Sequence, residues 1–189
     1  MARVSRMRQW AAMRDVLVVV DVQERLFNAM DAERRDEMIA NVKILAAAAR
    51  RLGVPVIVTE QYPKGLGATL PELRALLGDT VPLAKTAFSC CGADGFADQL
   101  RTSNADHVVM VGLEAHVCVL LTALDLAGRG TRVSLVADAV CSRRAASMET
   151  GIAEARQAGV VITSTETVVF RWLGSADSEA FRELSKLLR

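Results

Sequence analysis

The sequence predicts an α/β fold of three layers, Rossmann-like, with a central six-stranded parallel sheet covered by helices on both faces. Short β-branched runs alternate with longer Ala- and Leu-rich stretches, the pattern of strand–helix–strand units. Most of the short runs are apolar without alternation, as expected of strands covered on both sides. A helix–glycine–strand junction also recurs three times, at Gly53, Gly130 and Gly159.

The first strand is read at 16–20, where five apolar residues run to Asp21. A helix over 38–52 follows, with Arg50 and Arg51 in its last turn and Gly53 just beyond, an arrangement that favours termination. Strand two spans 55–59, and the break from Tyr62 to Gly67 reads as a loop. Strand three is placed at 80–83 and strand four at 107–111. The remaining units are a helix over 117–129, a strand over 132–136, a helix over 145–158 and a strand over 160–163. Two closing helices, 166–173 and 178–188, would pack on the sheet edge or against another subunit. No linker or internal repeat interrupts the pattern, so residues 1–189 are expected to form one domain, with 1–14 a lead-in and 165–189 the C-terminal helices.

Composition excludes several functions. The formal charge is +1 with no long block of either sign, which removes the electrostatic footprint of a nucleic-acid binder. Hydrophobic residues make up 51% of the chain, yet no apolar segment approaches the roughly 20 residues needed to span a bilayer. Arg3, Arg6, Arg8 and Arg14 fit a lead-in to the first strand or a mitochondrial address, but no apolar core or cleavage site marks a secretion signal. A cytoplasmic protein is expected. Cys90, Cys91, Cys118 and Cys141 lack CxxC spacing, so reduced thiols are expected rather than disulfides or a zinc site.

Three residues at strand ends carry the chemistry. Cys118 lies in Gly112-Leu113-Glu114-Ala115-His116-Val117-Cys118-Val119, where a strand turns into a helix, and the first turn of a helix favours thiolate over thiol. Asp21 closes the first strand and Lys85 follows the third. In open parallel sheets ligands bind beyond the carboxyl ends of strands where the winding reverses, which is where Asp21 and Cys118 fall; Lys85 would reach inward from further out. Taken singly, each residue has a plainer reading. Asp21 followed by Glu24 fits a helix N-cap with a capping-box partner as well as it fits catalysis. An isolated cysteine is more often inert core, and an isolated lysine more often solvated.

Val19-Val20-Asp21-Val22-Gln23, Lys85-Thr86-Ala87-Phe88-Ser89, the Gly112 to Val119 segment and Val136-Ala137-Asp138-Ala139-Val140 together resemble the isochorismatase-like cysteine hydrolases. The likeness runs in matching order over about 16–163. The Thr59 to Gly67 loop is most similar to the isochorismatase-domain proteins of that superfamily. Nicotinamidases carry an Asp-x-His metal motif after the second strand; glutamate, glutamine and tyrosine stand here, so no metal or other cofactor is expected.

The resemblance implies a triad of Asp21, Lys85 and Cys118. Cys118 would attack a carbonyl carbon, Asp21 would take its proton and later protonate the leaving group, and Lys85 would stabilise charge. It also implies a cis peptide at Leu113–Glu114, an oxyanion hole of the Glu114 and Cys118 backbone N–H groups, and a homo-oligomer. Gln23, Glu60, Tyr62, Phe88 and Glu114 lie in loops that should ring the pocket and are candidate substrate contacts. His116 would pair with Cys118 or, closer to the family pattern, form the pocket wall or an interface. His107 reads as structural, and Cys90, Cys91 and Cys141 as accessory thiols at most. The expected activity is hydrolysis of a small amide or related acyl compound through a thioester. The alternative is a non-catalytic metabolite-binding or interaction protein that keeps the fold, and an enzyme acting on nucleic acid is a distant third.

Overall fold

Six strands build one parallel sheet: β1 (Asp15–Val20), β2 (Val56–Gln61), β3 (Leu83–Lys85), β4 (His107–Leu113), β5 (Arg132–Cys141) and β6 (Val161–Thr163). Their order across the sheet is β3-β2-β1-β4-β5-β6, so the winding reverses between β1 and β4. The computed structural model describes residues 13–188; most of the 1–14 segment read above as a lead-in or targeting peptide lies outside the described residues.

Alternation along β1 divides the core in two. Leu17 and Val19 face one side, where they meet Met38, Val42 and Leu45 of α2 (Ala32–Leu52) and Leu73 of α4 (Pro71–Leu77). Val168 and Val169 of α8 (Thr165–Leu173) and Leu184 of α9 (Glu179–Leu184) complete that layer. Val16, Val18 and Val20 face the other side. Phe96 of α5 (Phe96–Thr102), Ala123 and Leu126 of α6 (Leu120–Gly128), and Met148 and Ala155 of α7 (Ala145–Gln157) pack there. Two short helices, α1 (Glu24–Asn28) and α3 (Pro63–Leu66), shape the loops after β1 and β2. Among the described residues no helix is long and apolar enough to cross a membrane.

The expected elements shift in instructive places. The third strand lies at 83–85 instead of 80–83, because its pairing with β2 runs only through Leu83, Ala84 and Lys85, beyond Pro82, which has no N–H for a ladder. Lys85 is therefore the last residue of the strand rather than a residue beyond its end. β5 runs on to Cys141, where a register shift against β4 between Met110 and Gly112 lets the Ala137 to Val140 stretch rejoin the sheet. Asp138 in that stretch accepts from the Thr165 N–H at 2.8 Å and its hydroxyl at 3.0 Å, which fixes the start of α8.

Gly112 determines how closely β4 approaches β1. Its φ is +114°, and a Cβ there would collide with the backbone carbonyl oxygen of Val20, the residue before Asp21. At the opposite end of the sheet, Asp15 joins β1 to three other elements. Its Oδ1 lies 2.8 Å from His107 Nδ1, whose Nε2 lies 2.8 Å from Ser134 Oγ, and its Oδ2 accepts from Arg171 at 2.8 Å and from the Trp172 indole at 2.6 Å. The Ser134–His107–Asp15 order mimics a catalytic triad, but all three residues are buried among β1, β4 and β5.

Two predictions follow from these contacts. Gly112→Ala lowers the unfolding free energy by at least about 2 kcal/mol through strain and backbone collision. Gly128→Ala, at a helical position with open space around it, leaves the urea midpoint equal or higher. Burial would raise the Asp15 carboxyl, but the His107 hydrogen bond and charge, the Trp172 hydrogen bond and the Arg171 charge together hold it below its usual range. A carboxyl depressed in the folded state contributes stability above its unfolded pKa and loses it as pH falls through the folded one. Urea titrations should therefore show stability falling below about pH 4, and Asp15→Asn should remove part of that acid dependence while costing on the order of 3 kcal/mol at neutral pH.

Candidate functional site

The carboxyl ends of β1, β2, β3 and β4 bring together Asp21, Thr59, Lys85 and Cys118. Asp21 follows β1 with φ +51°, a left-handed conformation that aspartate adopts more readily than most residues. Its N–H donates to the Thr59 carbonyl at 3.1 Å, and its side chain is fully buried. Lys85 Nζ spans β2 to reach Asp21 Oδ2 at 2.7 Å. The same ammonium donates to Gln61 Oε1 at 2.7 Å and to the carbonyls of Phe88 at 3.2 Å and Ala87 at 3.3 Å. Thr59 Oγ1 donates to Asp21 Oδ1 at 2.7 Å.

These contacts settle the competing reading of Asp21. Helix α1 is capped by Gln23 without a side-chain hydrogen bond, and the Asp21 carboxylate is engaged with Lys85 and Thr59, so it is not an N-cap.

Cys118 arrives by a different route. β4 ends at Leu113, the Leu113–Glu114 peptide is cis, and Ala115–Val119 forms a π-helical turn that leads into α6. Gly151 of α7 leaves the room for that turn, since a Cβ there would meet His116 Cα at 2.6 Å. Cys118 is 5% exposed, and the negative charge of Asp21 bears on its thiol.

Here the expected thiolate is overturned. Burial pushes the Cys118 thiol up to about 12, the Asp21 charge and hydrogen bond add to the rise, and Lys85 opposes it only in part. The helix entry does not compensate, because loss of water penalises the anion and the ammonium is already neutralised by Asp21. The other three thiols are also held above their ordinary values, chiefly by burial.

The candidate substrate contacts separate into two kinds. Gln23 is buried: its Nε2 donates to the carbonyls of Gln61 at 3.0 Å and Gly67 at 2.7 Å, and its Oε1 accepts from the Gln61 N–H at 2.7 Å. Glu60 accepts from both the Thr69 N–H and hydroxyl at 2.7 Å. The Glu114 carboxylate accepts from the Arg143 N–H at 3.1 Å and its Nε at 3.0 Å. All three side chains brace loops. Tyr62 and Phe88 are instead 55% and 58% exposed. Tyr62 lines a cavity of about 400 Å³ with Lys85, Lys64, Thr86 and Asp94. His116 Nδ1 is 2.9 Å from Ser142 Oγ, and the residue lines a second cavity of about 390 Å³ with Arg143, Arg144 and Ser147.

Thr59 and Thr122 join the site without having been singled out from sequence, and Cys90, read there as an accessory thiol at most, joins it with them. Cys90 Sγ lies 3.6 Å from Thr59 Oγ1, and its N–H donates to Thr122 Oγ1 at 2.8 Å. Thr122 in turn donates to the Cys118 carbonyl at 2.6 Å. The register that pairs Val20 with Thr59 was the signal that could have found Thr59. Among the described residues no group of three or more His, Cys, Asp or Glu side chains is placed to hold a metal ion.

Comparison with known proteins agrees with this architecture. The family model "Isochorismatase domain" matches residues 15–167. The chain is 36% identical over 173 residues to isochorismatase domain-containing protein 2 of Danio rerio, covering 92% of this chain and 86% of that protein. A solved structure titled MAR1 ribonuclease, from Caenorhabditis elegans, superposes with a TM-score of 0.86 at 39% identity, over 93% of this chain and 90% of that one. The YcaC gene product of Escherichia coli, titled an octameric hydrolase of unknown specificity, shares the fold with a TM-score of 0.86 at 21% identity, over 92% and 87% of the two chains. The chain belongs to the isochorismatase-like hydrolase superfamily.

Proposed function

We propose that this protein hydrolyses a small amide or related acyl compound through a thioester on Cys118. The observation that carries the proposal is the sealed Lys85–Asp21 pair, 2.7 Å apart, whose carboxylate charge bears on the Cys118 thiol. A thiol held up near 12 is almost wholly protonated at neutral pH, so attack requires a base in contact with it, and Asp21 is that base.

In the first half-reaction the sulfur–carbon bond forms as the Cys118 proton passes to Asp21 and the carbonyl electrons move onto oxygen. The Glu114 and Cys118 backbone N–H groups receive that oxyanion, an effect commonly worth about 3 kcal/mol per donor. The oxyanion collapses, the carbon–nitrogen bond breaks, and Asp21 returns its proton to the departing amine. Water then attacks the thioester, giving its proton to Asp21, and the acid leaves as the proton returns to sulfur. Lys85 holds Asp21 in place and offsets the charge at each stage. No cofactor enters these steps. Exposed Tyr62 and Phe88 offer apolar contacts to substrate or to a second subunit, and we read the whole chain as one domain that assembles as a homo-oligomer.

A panel of small amides and esters, assayed for released amine, ammonia or acid, tests the activity. Cys118→Ser, Asp21→Asn and Lys85→Met should each lower kcat/KM by at least about a hundredfold on any amide the wild type turns over. Tight binding of a small ligand over Cys118 with no turnover of any member of the panel would favour the binding-module alternative. RNA belongs in the same panel because the nematode protein is called a ribonuclease, and with a net charge of +1 the expected result is no cleavage.

The raised thiol gives a second prediction of opposite sign. Asp21→Asn removes the neighbouring negative charge, so it increases Cys118 thiolate absorbance at alkaline pH even while it abolishes turnover.

A further inference from the structure

Asp21 and the Cys118 backbone are joined by a chain of hydrogen bonds that passes through residues the mechanism does not use. Thr59 Oγ1 donates to Asp21 Oδ1 at 2.7 Å, and Cys90 Sγ sits 3.6 Å from the same hydroxyl oxygen. The Cys90 N–H donates to Thr122 Oγ1 at 2.8 Å, and Thr122 donates to the Cys118 carbonyl at 2.6 Å. Thr59, Thr122 and Cys90 are each fully buried.

Donor counting fixes the direction of every bond. A threonine hydroxyl has one proton to give. Thr59 gives its proton to a carboxylate oxygen that can only accept, so the hydroxyl must accept from Cys90, whose thiol is the donor. Burial keeps that thiol protonated, pushed up to about 11, with the Asp21 charge adding to the rise. Thr122 likewise gives its proton to the Cys118 carbonyl and accepts from the Cys90 N–H. Cys90 therefore supplies both threonines with a donor and leaves neither hydroxyl free to turn away.

We infer that Thr59, oriented by Cys90, is a positioning residue that holds the Asp21 carboxylate in place beside Cys118. The inference rests on the proposed role of Asp21 as the base. A hydroxyl donating to a carboxylate makes a charge-assisted hydrogen bond, which is short and directional. With Lys85 on Oδ2 and Thr59 on Oδ1, both carboxylate oxygens are held and the plane of the group is set.

The test needs no knowledge of the substrate. Alkylation of Cys118 by iodoacetamide at neutral pH, read by peptide mass spectrometry, reports how well the Asp21 carboxylate is placed to take the thiol proton. Thr59→Val keeps the shape and loses the proton. It should slow alkylation roughly fivefold, about the loss of one hydrogen bond. Thr59→Ser, which returns the hydroxyl without the methyl group, should restore the wild-type rate. A purely structural role would slow Thr59→Ser as much as Thr59→Val.

If Thr59→Val does not fold, Cys90→Ala serves in its place, with a smaller slowing, since the Thr59 hydroxyl is then free to rotate. A Thr59→Val rate, or the substitute variant's, equal to that of the wild type while the Asp21→Asn/Lys85→Met double variant is unreactive would overturn the inference and leave the base intact. Alkylation of Cys118 that survives unchanged in the double variant would overturn both.

Discussion

The site depends on one buried ion pair. Asp21 and Lys85 are sealed from water with their charged atoms 2.7 Å apart, and each is held by further donors or acceptors from β2 and the loop after β3. Removing two charges from water costs several kcal/mol per ion, and an apolar pair of similar volume is often no less stable. The pair is thus poor value as a stabilising device, and its position beside a thiol at the winding reversal of the sheet accounts for its presence. It also explains the geometry around it. Lys85 has to sit at the end of an outer strand to reach across β2, and the loop after β3 turns two carbonyls inward to receive the protons that Asp21 does not take.

The same pair sets the state of the Cys118 thiol. An ammonium without a partner would draw the Cys118 proton off; an ammonium already matched to a carboxylate does little, and the carboxylate itself holds the proton on sulfur. The site therefore carries a protonated thiol beside a carboxylate. Such a thiol resists adventitious oxidation, which acts on thiolate. In the proposed reaction the proton moves as an electrophilic carbon accepts the sulfur electrons. Gly112 and the turn at Ala115–Val119 serve this arrangement by bringing β4 close to β1 and then swinging Cys118 back over Asp21.

Much of this was legible in the sequence for a definite reason. A strand buried on both faces has to be apolar throughout, so the cores of β1, β2, β4 and β5 stood out, and a charged residue ending such a run marked a strand end. Asp21 was found by that rule and Lys85 close to it, while Cys118 was found at the change from an apolar strand to an apolar helix. Strand ends were less legible: Pro82 displaced β3, and the register shift in β5 hid its continuation to Cys141. The short helices, such as Pro63–Leu66, contain too few residues to display a period. Polar side chains near loops misled in the other direction. Gln23 and Glu60 look like ligand contacts, yet their amide and carboxylate are consumed by loop backbone and Thr69. Thr59 reads as an ordinary β-branched strand residue until the register puts it beside Val20. The thiol's direction of shift was hidden for a related reason, since desolvation depends on what covers a residue and not on its neighbours along the chain.

Acylation of Cys118 tests the central claim most directly. An activated aryl ester such as p-nitrophenyl acetate transfers its acyl group to a competent thiol, and rapid quenching followed by peptide mass spectrometry locates the product. One acyl group per chain is expected on the Cys118 peptide in the wild type at neutral pH, decaying as water completes the cycle, and very little in the Asp21→Asn/Lys85→Met double variant, which lacks both the base and the unpaired ammonium. Equal labelling of Cys118 in both proteins, or acylation confined to Cys91 and other residues, would contradict it.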